Sequence, residues 1–162
     1  MATKGSFDIS KFKKQLEKTF KVDVRDDIIE AIYLGATDIV NAAKNNDTYK
    51  DQTNQLRSSL GFVLYSDGQK VKQYFEATTR NAQGQGGAAG VQRGLETAES
   101  VAQNHPQGIV CVIVAGANYA LCVESKGLDV LTSHTNHAQD FIQPYLDQIK
   151  QGLQELLDNG EL

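Results

Sequence analysis

The chain is poor in several residue types, and each shortage narrows the reading. It has two cysteines, two prolines, one methionine and no tryptophan in 162 residues. Two cysteines, Cys111 and Cys122, are too few for a disulfide framework, so a reducing cytoplasm is the expected place of synthesis. Long apolar runs are missing as well. The longest, Ile109 to Ala115, is far short of the roughly 20 residues that span a bilayer. Residues Met1 to Ser10 show no apolar signal-peptide core, and no membrane partner is expected. There is no surplus of positive charge: 16 Lys and Arg stand against 20 Asp and Glu, a net charge of −4. That balance argues against a dedicated nucleic-acid binder, which shows a basic excess. No G-x-S-x-G elbow, P-loop or paired-cysteine metal motif occurs.

What remains is an ordinary globular composition, 40 % hydrophobic and 22 % charged, in a length that fits one domain spanning 1–162. Charge is unevenly placed. Lys4, Lys11, Lys13, Lys14, Lys18 and Lys21 crowd the first 21 residues, against only Asp8 and Glu17. The end is acidic, with Asp140, Asp147, Glu155, Asp158 and Glu161 against Lys150. Such ends attract one another within a chain or between copies, or simply form two solvated helix faces.

Hydrophobic periodicity sets out the elements. Ile9, Phe12, Leu16 and Phe20 mark a basic amphipathic helix within 1–22, ending near Lys21 where Val22-Asp23-Val24 breaks it. Ile28, Ile29, Ile32, Ala36, Ile39, Val40 and Ala43 mark a second, longer helix. Leu56 to Tyr65 and Val71 to Ala77 read as strands around Asp67-Gly68, a two-residue hairpin turn. Counting outward from it pairs Leu64 with Val71, Phe62 with Gln73 and Leu60 with Phe75 on one apolar face, for a sheet covered on one side. The mostly β-branched run Ile109–Ala115 predicts a central strand buried on both faces. A short helix over Asn118–Ser125, a strand over Gly127–Thr132 and a last helix from about His134 to Asn159 follow, with Pro144 inside it. The fold class expected is α+β: a small, mostly antiparallel sheet, hairpin plus central strand, packed against a long helix, with amphipathic terminal helices.

The segment 78–94 stands apart. Five glycines, Gly84, Gly86, Gly87, Gly90 and Gly94, fall within eleven residues, with Arg80, Gln85 and Arg93 among them. Its composition predicts a mobile loop, or a loop that orders on a neighbouring subunit. A third reading is a small cytoplasmic α/β domain that binds a ligand or nucleotide there, although Gly84-Gln85-Gly86-Gly87-Ala88-Ala89-Gly90 is one residue too long for G-x-G-x-x-G. His134, His137 and Asp140 share a helix side but lack a further ligand. Glu76 and Glu124 are the acids beside apolar segments, with no spacing that pairs them. Ser58 and Ser59 read as polar residues at a strand entry, and Asn46-Asp47-Thr48 is a sequon without meaning unless secreted.

Two blocks carry a family resemblance. Thr53-Asn54-Gln55-Leu56-Arg57-Ser58-Ser59-Leu60 resembles the Thr-Gly-x-Leu-Arg-x-Ser-Ile/Leu stretch of tail-completion, or head–tail joining, proteins of long-tailed bacteriophages. Asn54 stands where that family has glycine, and Asn is the other residue that readily adopts left-handed backbone. Asn118-Tyr119-Ala120-Leu121-Cys122-Val123-Glu124, followed by Gly127, resembles the family's Tyr-Ala-x-x-Val-Glu-x-x-Gly. The order of elements is similar too, over about residues 26–157; a Pro-Phe block common after the last strand is missing, and the basic first helix is an addition.

The resemblance implies a structural protein of the virion neck or tail top and no enzyme, cofactor or metal. Its partners would be further copies in a cyclic, sixfold or twelvefold ring, the portal, adaptor or tail proteins, and passively the DNA in the channel. Ring contacts are heterologous. Lys11, Lys14 and Lys18 facing Asp147 and Glu155 are candidate complementary patches. The stretch Arg80–Gly94, with Gln85 and Arg93, would reach about 50 Å if extended, far enough to meet a partner.

Overall fold

In a computed structural model of the chain, residues 9–159 are described, with side chains described from Val24 onward. The elements run α1 (Ile9–Asn45), α2 (Gln55–Ser58), β1 (Leu60–Ser66), β2 (Gln69–Phe75), α3 (Gly87–Ala102), β3 (Ile109–Ala115), α4 (Ala120–Glu124), α5 (Thr132–Asn136) and α6 (Ala138–Asp158). The class is α+β as expected: one antiparallel sheet in the order β2-β1-β3, with the long helix packed on it.

The sheet is covered on both faces, not one. Leu60, Phe62 and Leu64 of β1 point to α1 and pack with Ile29, Ala36, Val40 and Ala43. Val63 points the other way, with Val112 and Val114 of β3, onto Leu95, Ala98 and Ala102 of α3. A buried Leu or Phe of this kind stabilises the fold by roughly 1.5–3 kcal/mol each. The strand buried on both faces is therefore β1, not the run Ile109–Ala115. β3 is an edge strand, half-buried along most of its length.

Four further expectations are corrected. The first two helices are one, because Val22-Asp23-Val24 holds neither Pro nor Gly, and its modest propensity cost is easily carried by a 37-residue helix. The hairpin turns at Asp67-Gly68 as expected, both with positive φ, and Tyr65 pairs with Lys70. A bulge between Leu64 and Tyr65 then shifts the ladder, so Leu64 faces Lys72, Phe62 faces Tyr74 and Gly61 faces Phe75. Gly127–Thr132 is not a strand. Gly127 sits at φ +76°, and the N–H groups of Val130, Leu131 and Thr132 donate to the Glu124 carboxylate instead of a ladder.

The fourth correction concerns the glycines. Residues 78–94 are a loop only over their first half: Gly87–Gly94 form the start of α3. Gly90, Gly94, Ala98 and Ala102 are its buried residues, one every four positions. A Cβ on Gly94 would lie 2.6 Å from the Ser59 carbonyl oxygen, and one on Gly90 would lie 2.3 Å from that of Gln55. The small residues let α3 approach the backbone of α2 and β1 more closely than a side chain would allow.

α6 packs antiparallel to α1. Ile142 lies against Gly35, the Tyr145 hydroxyl donates to Asp38 at 2.6 Å, and Gln148 and Ile149 lie over Asp27, Ala31 and Leu34. No helix among the described residues is long and apolar enough to cross a membrane.

Candidate functional site

The two sequence blocks meet at one end of the sheet. Ser59 of the first block holds the two residues that lead into the second: its carbonyl accepts from the Gly116 N–H at 3.1 Å, and its hydroxyl accepts from the Ala117 N–H at 3.0 Å. Thr53, Gln55 and Leu56 of the first block, with Tyr119 and Val123 of the second, then line an open cleft of about 320 Å3. Tyr49 forms part of the same cleft.

Asn54 begins this arrangement. It is 1 % exposed and adopts the left-handed conformation, φ 62°. Its side chain does what a glycine there would not. The amide donates to the carbonyls of Asn81 (2.7 Å) and Gly84 (3.0 Å), and its oxygen accepts from the Asn81 N–H at 2.9 Å. The Gly86 N–H adds a bond to the Thr53 carbonyl at 2.7 Å, and the Thr78 N–H one to the Ser58 hydroxyl at 2.8 Å. These contacts pin the glycine-rich segment to the first block.

Arg57 is the charged centre, only 4 % exposed. Its guanidinium donates to the carbonyls of Lys44 and Tyr49, lies 3.7 Å from Asp47 and stands 4.5 Å from the Tyr49 ring centre. Its own N–H is accepted by Asp51 at 2.7 Å. Arg80 reaches in from the glycine-rich side, donating to the same Lys44 carbonyl at 3.2 Å and pairing with Asp47 at 3.0 Å. The two guanidinium forks thus tie the C-terminal end of α1 to both blocks. Burial pushes the Tyr49 hydroxyl up to about 12 against the lowering effect of the Arg57 charge, so it stays protonated.

Glu124 is the corresponding device of the second block. Burial alone would raise its pKa. Hydrogen bonds from the Thr132 side chain and the three backbone N–H groups outweigh that and hold it below the ordinary carboxylate value. Asn54, Arg57 and Glu124 thus each bind backbone groups that are distant in sequence or in the adjoining loop. Ser58 and Ser59 hydroxyls bind backbone groups, and among the described residues no group of three His, Cys, Asp or Glu comes together to hold a metal.

The remaining expected residues are dispersed. Arg93 is exposed on α3, in a polar groove with Gln92, Glu96, Thr97 and Asn118. Gln85 is exposed in the loop before α3. Asp147 is exposed on α6, accepting from Gln143 at 2.9 Å, and Glu155 is exposed further along it. The side chains of Lys11, Lys14 and Lys18, and so their pairing with those acids, lie outside the described residues.

Sequence reasoning missed the exposed apolar residues beside the cleft. Leu121 of α4 is 78 % exposed and Tyr119 is partly so. Leu156 and Leu157 are exposed near the end of α6. The signal was available: Leu121 follows Ala120 directly, about 100° round the helix from the face carrying Ala120 and Val123, which pack inward. No family model, curated protein or solved structure matches this chain.

Proposed function

We propose that this chain is a structural protein of a phage virion, at the neck or the top of the tail, where copies close into a ring around the DNA channel between portal and tail. The observation that carries the proposal is the junction at Ser59. Two blocks about sixty residues apart in sequence, each resembling the same family in the same order, meet in space: Ser59 of the first holds Gly116 and Ala117, which lead into the second, and Leu56, Tyr119 and Val123 line one cleft. Asn54 fits too, since it holds the left-handed conformation that the family's glycine would take.

The surface agrees with a role in assembly. Leu121 and Tyr119 beside the cleft, and Leu156 and Leu157 on α6, are exposed apolar residues on two different elements, which suits a contact between unlike surfaces of neighbouring copies. The net charge of −4 suits a channel that DNA passes without sticking.

The reading is tested on assembly of the purified protein. Leu121→Glu is expected to abolish rings while leaving the melting temperature within about 2 °C of the parent, since exposed substitutions change stability by less than about 0.5 kcal/mol. Charge reversal at Lys14 and Lys18 is expected to weaken them; unchanged assembly would remove the electrostatic part.

A further inference from the structure

The two edges of the sheet are built differently. β2 is a guarded edge. It carries a bulge, and its Lys70 and Lys72 are tied to Glu99 and Glu30. Bulges and lysines are the usual means by which an edge is kept from pairing with another chain. β3 has none of them. Its seven residues, Ile-Val-Cys-Val-Ile-Val-Ala, include no charge, Pro or Gly. Its register against β1 runs from Leu60↔Ala115 to Ser66↔Ile109 without a shift.

The hydrogen bonds show which backbone groups β3 leaves over. The Gly116 N–H donates to Ser59 at one end of the ladder, and the Asp67 N–H donates to Gly108 at the other. In an antiparallel pair, bonded and non-bonded positions alternate. Gly108, Val110, Val112, Val114 and Gly116 therefore face β1. The N–H and C=O groups of Ile109, Cys111, Ile113 and Ala115 face away from the sheet. Among the described residues, none of those eight groups has a hydrogen-bond partner.

We propose that this edge docks on the same edge of a second copy: two β3 strands pair antiparallel about Val112, joining two three-stranded sheets into one of six. In this register Ile109 opposes Ala115 and Cys111 opposes Ile113 of the second copy. All four outward residues of each strand then sit at bonded positions. A slip by two residues leaves groups unpaired at the ends, and a slip by one presents positions that are already bonded to β1. The occupant is a second β3 because the strand complements itself. It brings no like charges together and sets β-branched side chains opposite one another. The chain's other sheet edge is guarded. The contact is isologous and independent of the virion reading. A particle that uses both this contact and a head-to-tail one holds an even number of copies.

The test is a disulfide trap. Val112 would face Val112 of the second copy at a non-bonded position, where Cα atoms lie about 4.5 Å apart, within the range a disulfide spans. Val112→Cys in a Cys111→Ala, Cys122→Ser background is expected to give a covalent dimer under mild oxidation. Val110→Cys in the same background is the control. Its copies would lie four residues out of register, roughly 13 Å along the strand, so at least tenfold less dimer is expected. Equal trapping at both positions, or none at either, would overturn the pairing. Should a variant fail to fold, hydrogen exchange of the unaltered protein decides. The amides of Ile109, Cys111, Ile113 and Ala115 should slow at least tenfold between dilute and concentrated samples. Exchange that does not change with concentration refutes the contact.

Discussion

Replacing Gly94 by alanine sets two effects of opposite sign against each other. In a helix interior, Gly→Ala by itself stabilises by about 1 kcal/mol. At Gly94 the added Cβ would lie 2.5 Å from a ring carbon of Phe75 and 2.6 Å from the Ser59 carbonyl oxygen. Neither neighbour is free to yield. The Phe75 ring also lies against Gly61, where a Cβ would come within 2.5 Å of it, and the Ser59 carbonyl is held by the Gly116 N–H. Overpacking of this kind costs roughly 1–3 kcal/mol, and more when the backbone must shift. Because one of the two neighbours is backbone, the cost falls at roughly 2–3 kcal/mol, and the expected net loss is roughly 1–2 kcal/mol, or a Tm lower by about 2–8 °C at this chain length. Gly152 in α6 is the internal control. A Cβ there meets nothing within 4 Å, so Gly152→Ala should raise stability by roughly 0.5–1 kcal/mol. Urea and thermal unfolding of both variants measure the difference. A Gly94→Ala protein as stable as the parent would refute the close approach of α3 to the sheet.

Asn54→Gly should be milder than Asn54→Ala: both lose the bonds to Asn81 and Gly84, but only alanine also strains the left-handed backbone, by about 1–2 kcal/mol more in unfolding experiments. Glu124 has its pKa depressed in the folded chain, so its stabilisation is present above the ordinary value of 4.5 and is lost as pH falls through the lower folded value; Glu124→Gln should flatten that part of the acid-unfolding curve. Burial pushes the Cys111 thiol up to about 12 while Cys122 is exposed, so alkylation of the native protein should modify Cys122 alone, with Cys111 following only on unfolding.

Much of the architecture is legible because it rests on local signals. The stripe from Ile28 to Ala43 and the Asp67-Gly68 turn each state their conformation within a few residues, and both are found where the pattern puts them. What was not legible depends on partners distant in sequence. The β2 bulge moves Tyr74 opposite Phe62, where its hydroxyl also meets Asn41 of α1, and nothing in Gln69–Phe75 alone marks it. Leu95–Gln103 reads as helical from the sequence, but the first half of α3, Gly87–Gly94, is hidden by its composition. Glycine suggests disorder, yet Gly90, Gly94, Ala98 and Ala102 recur every four residues, which is a helix face made small for close packing. The run Ile109–Ala115 suggested a central strand because apolar content reports burial and not sheet order. At the candidate site, Arg57 and Ser59 were recognisable by their motif, but their work on Lys44, Tyr49 and Ala117 appears only in three dimensions.

The central claim is assembly into a ring, and the direct measurement is the mass of the purified protein by light scattering over a wide concentration range, with negative-stain images of the same samples. The account predicts closed sixfold or twelvefold rings with an opening wide enough for duplex DNA. A protein that remains a monomer, or stops at the β3-paired dimer, and shows no ring at any concentration would contradict it.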